Sequence, residues 1–277
     1  METEFEVPVA GGTLRGWRSG AGPDVVLLHG GPGLSDYTAS LAAELQDSYT
    51  VHRYQQRGLA PSTTAGPFDI ETHVADALAV VHGAGPDGAV VVGHSWGAHL
   101  AMHVAVTGDP SVRAMVVVDP LGAVGDGGEA DLERILAERT PATAAARAEE
   151  LDRRAMAGDG TAHDMAEGLE LVWPAYFADP AKAPPMPPLA VSVACYAGTW
   201  ESIHAHLARH TLETRLPHLD IPAVFVMAAQ SPIPPRHGTA TAALVKGARA
   251  EVVDGCGHFL WLEQPGVVRR ALDSLAG

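Results

Sequence analysis

Residues 89–108 read AVVVGHSWGAHLAMHVAVTG. The opening AVVV is a short apolar run of the kind that fits a strand buried on both faces. WGAHLAMHVAVTG has the spacing of an amphipathic helix. Between them stands Gly93-His94-Ser95-Trp96-Gly97, a Gly-x-Ser-x-Gly pattern. A strand that turns straight into a helix makes a sharp corner, and its central residue is held in a strained conformation that only small flanking residues permit. Such a corner lifts the Ser95 hydroxyl above the sheet at a helix N-terminus, where the helix dipole favours developing negative charge. An ordinary serine in a tight turn could carry the same five letters. The strand before it and the helix after it predict a nucleophile instead.

The same alternation extends outward in both directions. FEVPV and LRGWRSG flank Gly11-Gly12 as a hairpin, DVVLLHG (24–30) is a buried strand, and YTASLAAELQ (37–46) is helical. YTVHRYQQRG (49–58) reads as a strand, and DIETHVADALAVVHGAG (69–85) as a helix with an acidic start and a glycine stop. RAMVVVDP (113–120) is a further strand, ending in Asp-Pro. The alternation then breaks into Ala- and charge-rich helical segments, interrupted by APPMPP (183–188). It resumes with IPAVFVMA (221–228), HGTATAALVKG (237–247), ARAEVVDG (248–255) and EQPGVVRRALDSLAG (263–277). Strand–helix alternation predicts an α/β fold, a mostly parallel central sheet with helices on both faces. Residues 1–120 and 216–277 would form the core, and 121–215 a helical cap above the carboxyl edge of the sheet.

Composition narrows the function. The chain has 277 residues, 47% of them hydrophobic and 18% charged, with a net charge of −15. That acidity argues against a nucleic-acid partner, which would want a basic face. No apolar run approaches the roughly 18 residues of a membrane span. The start, METEFEVPVAGG, lacks the cationic and apolar regions of a signal peptide. Two cysteines, Cys195 and Cys256, imply no disulfide framework. The expectation is a cytoplasmic protein acting on a small molecule or short peptide, without cofactor. His99 with His103, and His206 with His210, have the i, i+4 spacing of metal ligands, but a third ligand and an HExxH motif are wanting, so no metal is expected.

Two further stretches carry chemistry. HGGPG (29–33) follows a buried strand, and its glycines let backbone N–H groups face a reacting carbonyl. The oxyanion hole is assigned to the amides of Gly31 and Trp96, with His29 supporting the loop. GCGHF (255–259) follows the last strand and precedes the last helix, so His258 can reach back to Ser95 as general base. His94 is expected to point into the sheet.

Together HGGPG, YQQRGLAPS (54–62), GHSWG and GCGHF resemble the α/β-hydrolase superfamily, and more narrowly its proline iminopeptidase-like branch, peptidase family S33. The resemblance covers the core and matches the cap only loosely. It implies Ser95 as nucleophile, His258 as base, Gly31 with Trp96 as oxyanion hole, and a structural Arg57. Two departures stand out. Gln55 occupies the position of an aspartate in the family's Asp-Gln-Arg-Gly, with Gln56, Arg57 and Gly58 following. Ser231, in AAQSPIPP (228–235), stands where the family keeps its catalytic acid. A serine there could accept the His258 N–H but could not stabilise an imidazolium by charge.

Asp119, at the end of MVVVDP, is a substitute acid, since some α/β-hydrolases carry the acid at this strand end. Asp-Pro also commonly begins turns, so Asp119 reads equally as a cap before Pro120. Asp254 lies too near His258 along the chain, and Glu263 is expected to start the last helix. By the same resemblance a cap carboxylate, Glu170 or Glu201, would bind a substrate amine, and Trp96, Trp173 and Trp200 would line an apolar pocket. The expected activity is acyl transfer through Ser95 on a small ester, amide or N-terminal aminoacyl substrate. A lyase, cyclase or epimerase on the same fold, and a degenerate ligand-binding protein, remain open.

Overall fold

Eight strands form one sheet in the computed structural model, which describes residues 2–276. The strands are β1 (Thr3–Val9), β2 (Gly12–Gly20), β3 (Asp24–Leu28), β4 (Thr50–Tyr54), β5 (Ala89–His94), β6 (Val112–Val118), β7 (Ala223–Ala228) and β8 (Arg249–Val253). The helices are α1 (Ala39–Leu45), α2 (Ile70–Ala84), α3 (Trp96–Ala105), α4 (Glu129–Arg139), α5 (Ala142–Met156), α6 (Ala162–Val172), α7 (Val193–Ala208), α8 (Thr211–Arg215), α9 (Pro235–Ala242), α10 (Leu260–Glu263) and α11 (Val267–Asp273). Spatial order is β1-β2-β4-β3-β5-β6-β7-β8. The β1–β2 hairpin and the β2–β4 pair are antiparallel, and the strands from β4 through β8 run parallel. This is the α/β-hydrolase fold that the sequence predicts.

Successive side chains of the central strands enter opposite faces, as the two-residue period of a strand requires. Val26 and Leu28 of β3, Val91 of β5 and Val117 of β6 pack with α2, α3 and α9 on one face. Val25 and Leu27 of β3, Val92 of β5 and Val118 of β6 pack with α1 and α11 on the other. Continuous apolar runs are therefore what these positions need, each fully buried side chain contributing about 1.5–3 kcal/mol. No described helix is long and apolar enough to cross a membrane.

Several boundaries differ from the sequence reading. The strand read over 49–58 stops at Tyr54, because Gln55, Gln56 and Arg57 turn away to hold loops. The helix read from 237 begins at Pro235, whose fixed φ suits a first helical turn. Pro265-Gly266 divides the last helix into α10 and α11.

Between β6 and β7 the chain leaves the sheet, and α4 to α6 form a cap-like layer before α7 returns to pack on α2 and α5. The cap is tied down at several points. Leu34 and Val191 form an antiparallel bridge, and Ser192 N–H donates to Gly33 O at 2.8 Å. Arg139 donates to Gln230 O at 2.7 Å. His258 N–H donates to Tyr176 O, also at 2.7 Å.

Candidate active site

The corner between β5 and α3 has the strained geometry its sequence demands. Ser95 sits at φ 59° and ψ −122°, a region that costs a non-glycine residue about 1–3 kcal/mol. Both glycines of the motif are sterically required. A Cβ on Gly93 would stand 2.0 Å from Gly97 O, and one on Gly97 would stand 2.1 Å from Leu28 O. Ser95 N–H is held by Val118 O of the neighbouring strand at 3.0 Å. The serine is half-buried, whereas the residues around it on β5 and α3 are buried.

Asp119 follows the end of β6 at φ 44° and is fully buried. Its Oδ2 lies 2.5 Å from His258 Nδ1 and accepts the Ser231 hydroxyl at 2.5 Å. Its Oδ1 accepts Ala228 N–H at 3.0 Å. The aspartate is thus engaged by three donors from two loops and does not serve as a simple turn cap. Ser231 behaves differently from the sequence reading. It does not accept the His258 N–H; it donates to the carboxylate that does, and its oxygen accepts Ile233 N–H at 3.0 Å.

Gln230, which the sequence reading passed over, and Glu263, which it placed at a helix start, hold the loop of His258. Gln230 Oε1 accepts the N–H groups of Gly255 and Cys256 at 2.8 and 3.1 Å. Glu263 ends α10 and does not start the final helix, and its carboxylate accepts Gly257 N–H at 2.7 Å and Ala178 N–H at 3.1 Å. A Cβ on Gly257 would meet Tyr176 O at 2.3 Å, so the glycine lets the cap turn rest on the base loop.

The loop after β3 is built by side chains of the Gln-Gln-Arg-Gly segment. Gln55 bonds Asp36 N–H and Leu34 O at 3.0 and 3.2 Å. Gln56 donates to His29 O at 2.7 Å, and its Oε1 accepts the Trp96 indole N–H at 3.0 Å. His29 accepts Gln56 N–H at 3.1 Å and so donates from Nδ1 to Gly30 O at 2.8 Å; burial lowers its pKa and keeps it neutral. Gly30 faces Ser95 closely, a Cβ there falling 2.9 Å from Ser95 Cβ. Among the described residues, neither Gly31 N–H nor Trp96 N–H donates a hydrogen bond. Arg57 makes a bidentate pair with Asp76 at 2.6 and 2.7 Å and also donates to Ala65 O and Ala10 O. Burial pushes the Asp76 carboxyl upward against the pull of this guanidinium.

His94 does not simply point into the sheet. Its Nε2 lies 2.8 Å from His258 O and its Nδ1 2.7 Å from the Tyr37 hydroxyl, which in turn accepts Gly30 N–H at 2.8 Å. Tyr37 carries no local sequence signal that would have singled it out.

The cap residues fall elsewhere than expected. Glu170 and Glu201 are exposed, so neither is a buried acid. Trp96 and Trp173 belong to the two separate core clusters, and Trp200 packs beside the cluster of Trp96. Trp173 donates to Pro184 O at 2.7 Å and packs on Phe177 and Phe259, cementing cap to core. His206 joins His99 and His103, with ring centroids 5.0 Å apart in each neighbouring pair, while His210 turns to Glu213. Among the described residues no group of three or more His, Cys, Asp or Glu side chains is placed to hold a metal ion. Cys195 and Cys256 are buried and free.

Comparison with known proteins follows this geometry. A sequence model of the alpha/beta hydrolase family matches residues 25–271. The "Uncharacterized hydrolase YraK" of Bacillus subtilis (strain 168) is 31% identical over 105 residues, 37% of this chain and 39% of that protein. A proline iminopeptidase of Heyndrickxia coagulans is 29% identical over 128 residues, 43% of this chain and 44% of that protein. The matches thus span about two-fifths of these relatives' lengths. The crystal structure of E-2-(acetamidomethylene)succinate hydrolase superposes with a TM-score of 0.69 at 19% identity, covering 100% of this chain and 99% of that one, a likeness of fold alone.

Proposed function

The chain belongs to the alpha/beta hydrolase family, and from that premise we propose that it is a serine hydrolase whose triad is Ser95, His258 and Asp119. The observation that carries this reading is the 2.5 Å contact of His258 Nδ1 with Asp119 Oδ2, taken with the strained φ of Ser95. A carboxylate only accepts, so the His258 proton sits on Nδ1 and leaves the Nε2 lone pair for the nucleophile. Nε2 takes the Ser95 proton as Oγ attacks the substrate carbonyl carbon. The carbonyl oxygen gains negative charge, for which the N–H groups of Gly31 and Trp96 are free donors. His258 gives the proton to the leaving oxygen or nitrogen, and water, deprotonated in the same way, releases the acyl group.

The substrate favoured is a small ester or amide, ahead of an N-terminal aminoacyl bond. Glu170 and Glu201 are exposed, which leaves the aminopeptidase reading without the buried cap carboxylate it invoked. An acid side chain at His258 Nδ1 supports hydrolysis over a lyase, cyclase or epimerase, and Ser95 kept together with His258 weighs against a binding protein. The test is covalent labelling by a fluorophosphonate with Ser95→Ala as blank, followed by p-nitrophenyl ester and aminoacyl anilide series. Rapid labelling confined to the wild type, with esters turned over faster than aminoacyl anilides, is expected. Absence of labelling would sink the serine mechanism.

A further inference from the structure

A second hydrogen-bond chain, separate from the triad, joins the loop after β3 to the loop that carries the base. Gly30 N–H meets the Tyr37 oxygen at 2.8 Å, the Tyr37 hydroxyl meets His94 Nδ1 at 2.7 Å, and His94 Nε2 meets His258 O at 2.8 Å. Its polarity can be worked out from one end. The His258 carbonyl accepts only, so His94 Nε2 carries a hydrogen. His94 is buried, and burial together with the neighbouring His258 holds its pKa well below the ordinary imidazole value, so the ring is neutral and has a single proton. Nδ1 is then an acceptor, the Tyr37 hydroxyl must donate to it, and the Tyr37 oxygen is left to accept Gly30 N–H. Every group in the chain is satisfied in one arrangement only.

The rings of this chain are also fixed by packing. His94 lies 4.5 Å from His258, 5.2 Å from Phe259 and 4.8 Å from Trp261, centroid to centroid. Tyr37 lies 5.6 Å from Phe259 and is parallel to Trp261 within 4°. His94 immediately precedes Ser95, so the nucleophile's own neighbour reaches both partners of the reaction: the loop bearing the Gly31 amide and the backbone of the base.

We infer that His94 and Tyr37 are positioning residues, which set the Gly30–Gly31 amides and His258 at fixed separations from Ser95. The inference rests on the serine-hydrolase reading above. Neither residue touches the substrate; both act through the residues they hold. Displacing a donor by a few tenths of an ångström weakens oxyanion stabilisation while leaving ground-state binding intact, so the loss belongs in kcat.

The experiment compares wild type with Tyr37→Phe, His94→Gln and His94→Leu on an ester and on its thionoester, whose sulfur is a poorer acceptor in the oxyanion hole. Tyr37→Phe keeps the ring and removes only the hydroxyl. It is expected to lower kcat on the ester about 10- to 100-fold, with KM within about twofold, and to shrink the ester-to-thionoester rate ratio. His94→Leu should lose more, and His94→Gln, whose amide can still donate toward His258 O, should recover part of that loss. A side chain that matters for packing alone would lower the melting temperature without moving the ester-to-thionoester ratio. A folded Tyr37→Phe with wild-type kcat and an unchanged ratio overturns the inference. Should Tyr37→Phe not fold, equal activity of His94→Gln and His94→Leu overturns it in the same way. Fluorophosphonate labelling separates the two levels of argument. A wild type that labels, alongside variants that label at its rate, refutes the positioning role only; a wild type that does not label refutes both.

Discussion

Replacing Asp119 with asparagine changes one atom of the side chain and ought to disable the enzyme. The Oδ1 position receives Ala228 N–H at 3.0 Å, so the asparagine oxygen must stay there and its NH2 must occupy the Oδ2 position. That NH2 then faces the Ser231 hydroxyl and His258 Nδ1, both 2.5 Å from the present oxygen. Ser231 can rotate its hydrogen away and accept. His258 can accept only by losing the hydrogen from Nδ1, which moves its proton to Nε2, toward Ser95. An imidazole in that tautomer is no base for the serine. The equivalent neutralisation in a serine protease costs about 10⁴ in turnover, or about 5.5 kcal/mol of transition-state stabilisation. The fold should tolerate the change, because asparagine is among the residues that accept the φ of 44° found here. The assay is the acylation burst with a p-nitrophenyl ester, read with the melting temperature of the same preparation. A folded Asp119→Asn within about tenfold of wild type would show that the carboxylate does not set the tautomer, and the triad assignment would fall.

Other perturbations follow from the same contacts. Ser231→Ala removes one of three donors to Asp119 and should lower kcat by about 10-fold, the lower end of the roughly 1.5–3 kcal/mol that a hydrogen bond to a charged group contributes, with the burst still visible. Ser231→Asp crowds a second carboxylate against Asp119 and should lower urea stability, whereas in the Asp119→Asn background it should recover activity. Arg57→Leu leaves the buried Asp76 without its bidentate partner and should cost about 3–5 kcal/mol in urea unfolding. His99 is buried and neutral, its pKa lowered by burial to about 4. The unfolded chain therefore binds more protons than the folded one between about pH 6.5 and 4, so stability present above that window is lost as pH falls through it. The shift amounts to about 3 kcal/mol for His99, and His103 adds in the same direction. His99→Gln should flatten the fall in melting temperature between pH 7 and 4; an unaltered slope would contradict it.

How much of this was legible in the sequence depended on how local each cause is. The corner at Ser95 was legible because the clash that excludes a Cβ at Gly93 comes from Gly97 O within five residues, whereas the clash at Gly97 comes from Leu28 O of β3. His258 was legible from chain order and its glycines. Asp119 stayed ambiguous because Asp-Pro at a strand end suits a turn as well as an acid. What separates the two is the placement of β6 beside β7 in the sheet, which brings Ser231 to the same Asp119 oxygen that meets His258 Nδ1. Sheet order is set by packing across the whole domain and leaves no trace in either segment. Burial in the cap was hidden for a similar reason: Glu170 and Glu201 stand among aromatics in the sequence, yet both are exposed in the fold. Glu263, Gln230 and Tyr37 each bond at least one partner far along the chain, Ala178, Gly255 and His94, so no local residue pattern announces them.

The bonds between cap and catalytic loops bear on how the two move. The cap carbonyl of Tyr176 holds the backbone of His258, and Arg139 of the cap holds the loop of Ser231 through Gln230 O. A cap that swung away as a rigid body would first have to break both bonds. The cap and the loops of His258 and Ser231 are therefore one mechanical unit, and a substitution that frees Tyr176 or Arg139 is felt at the loop it holds.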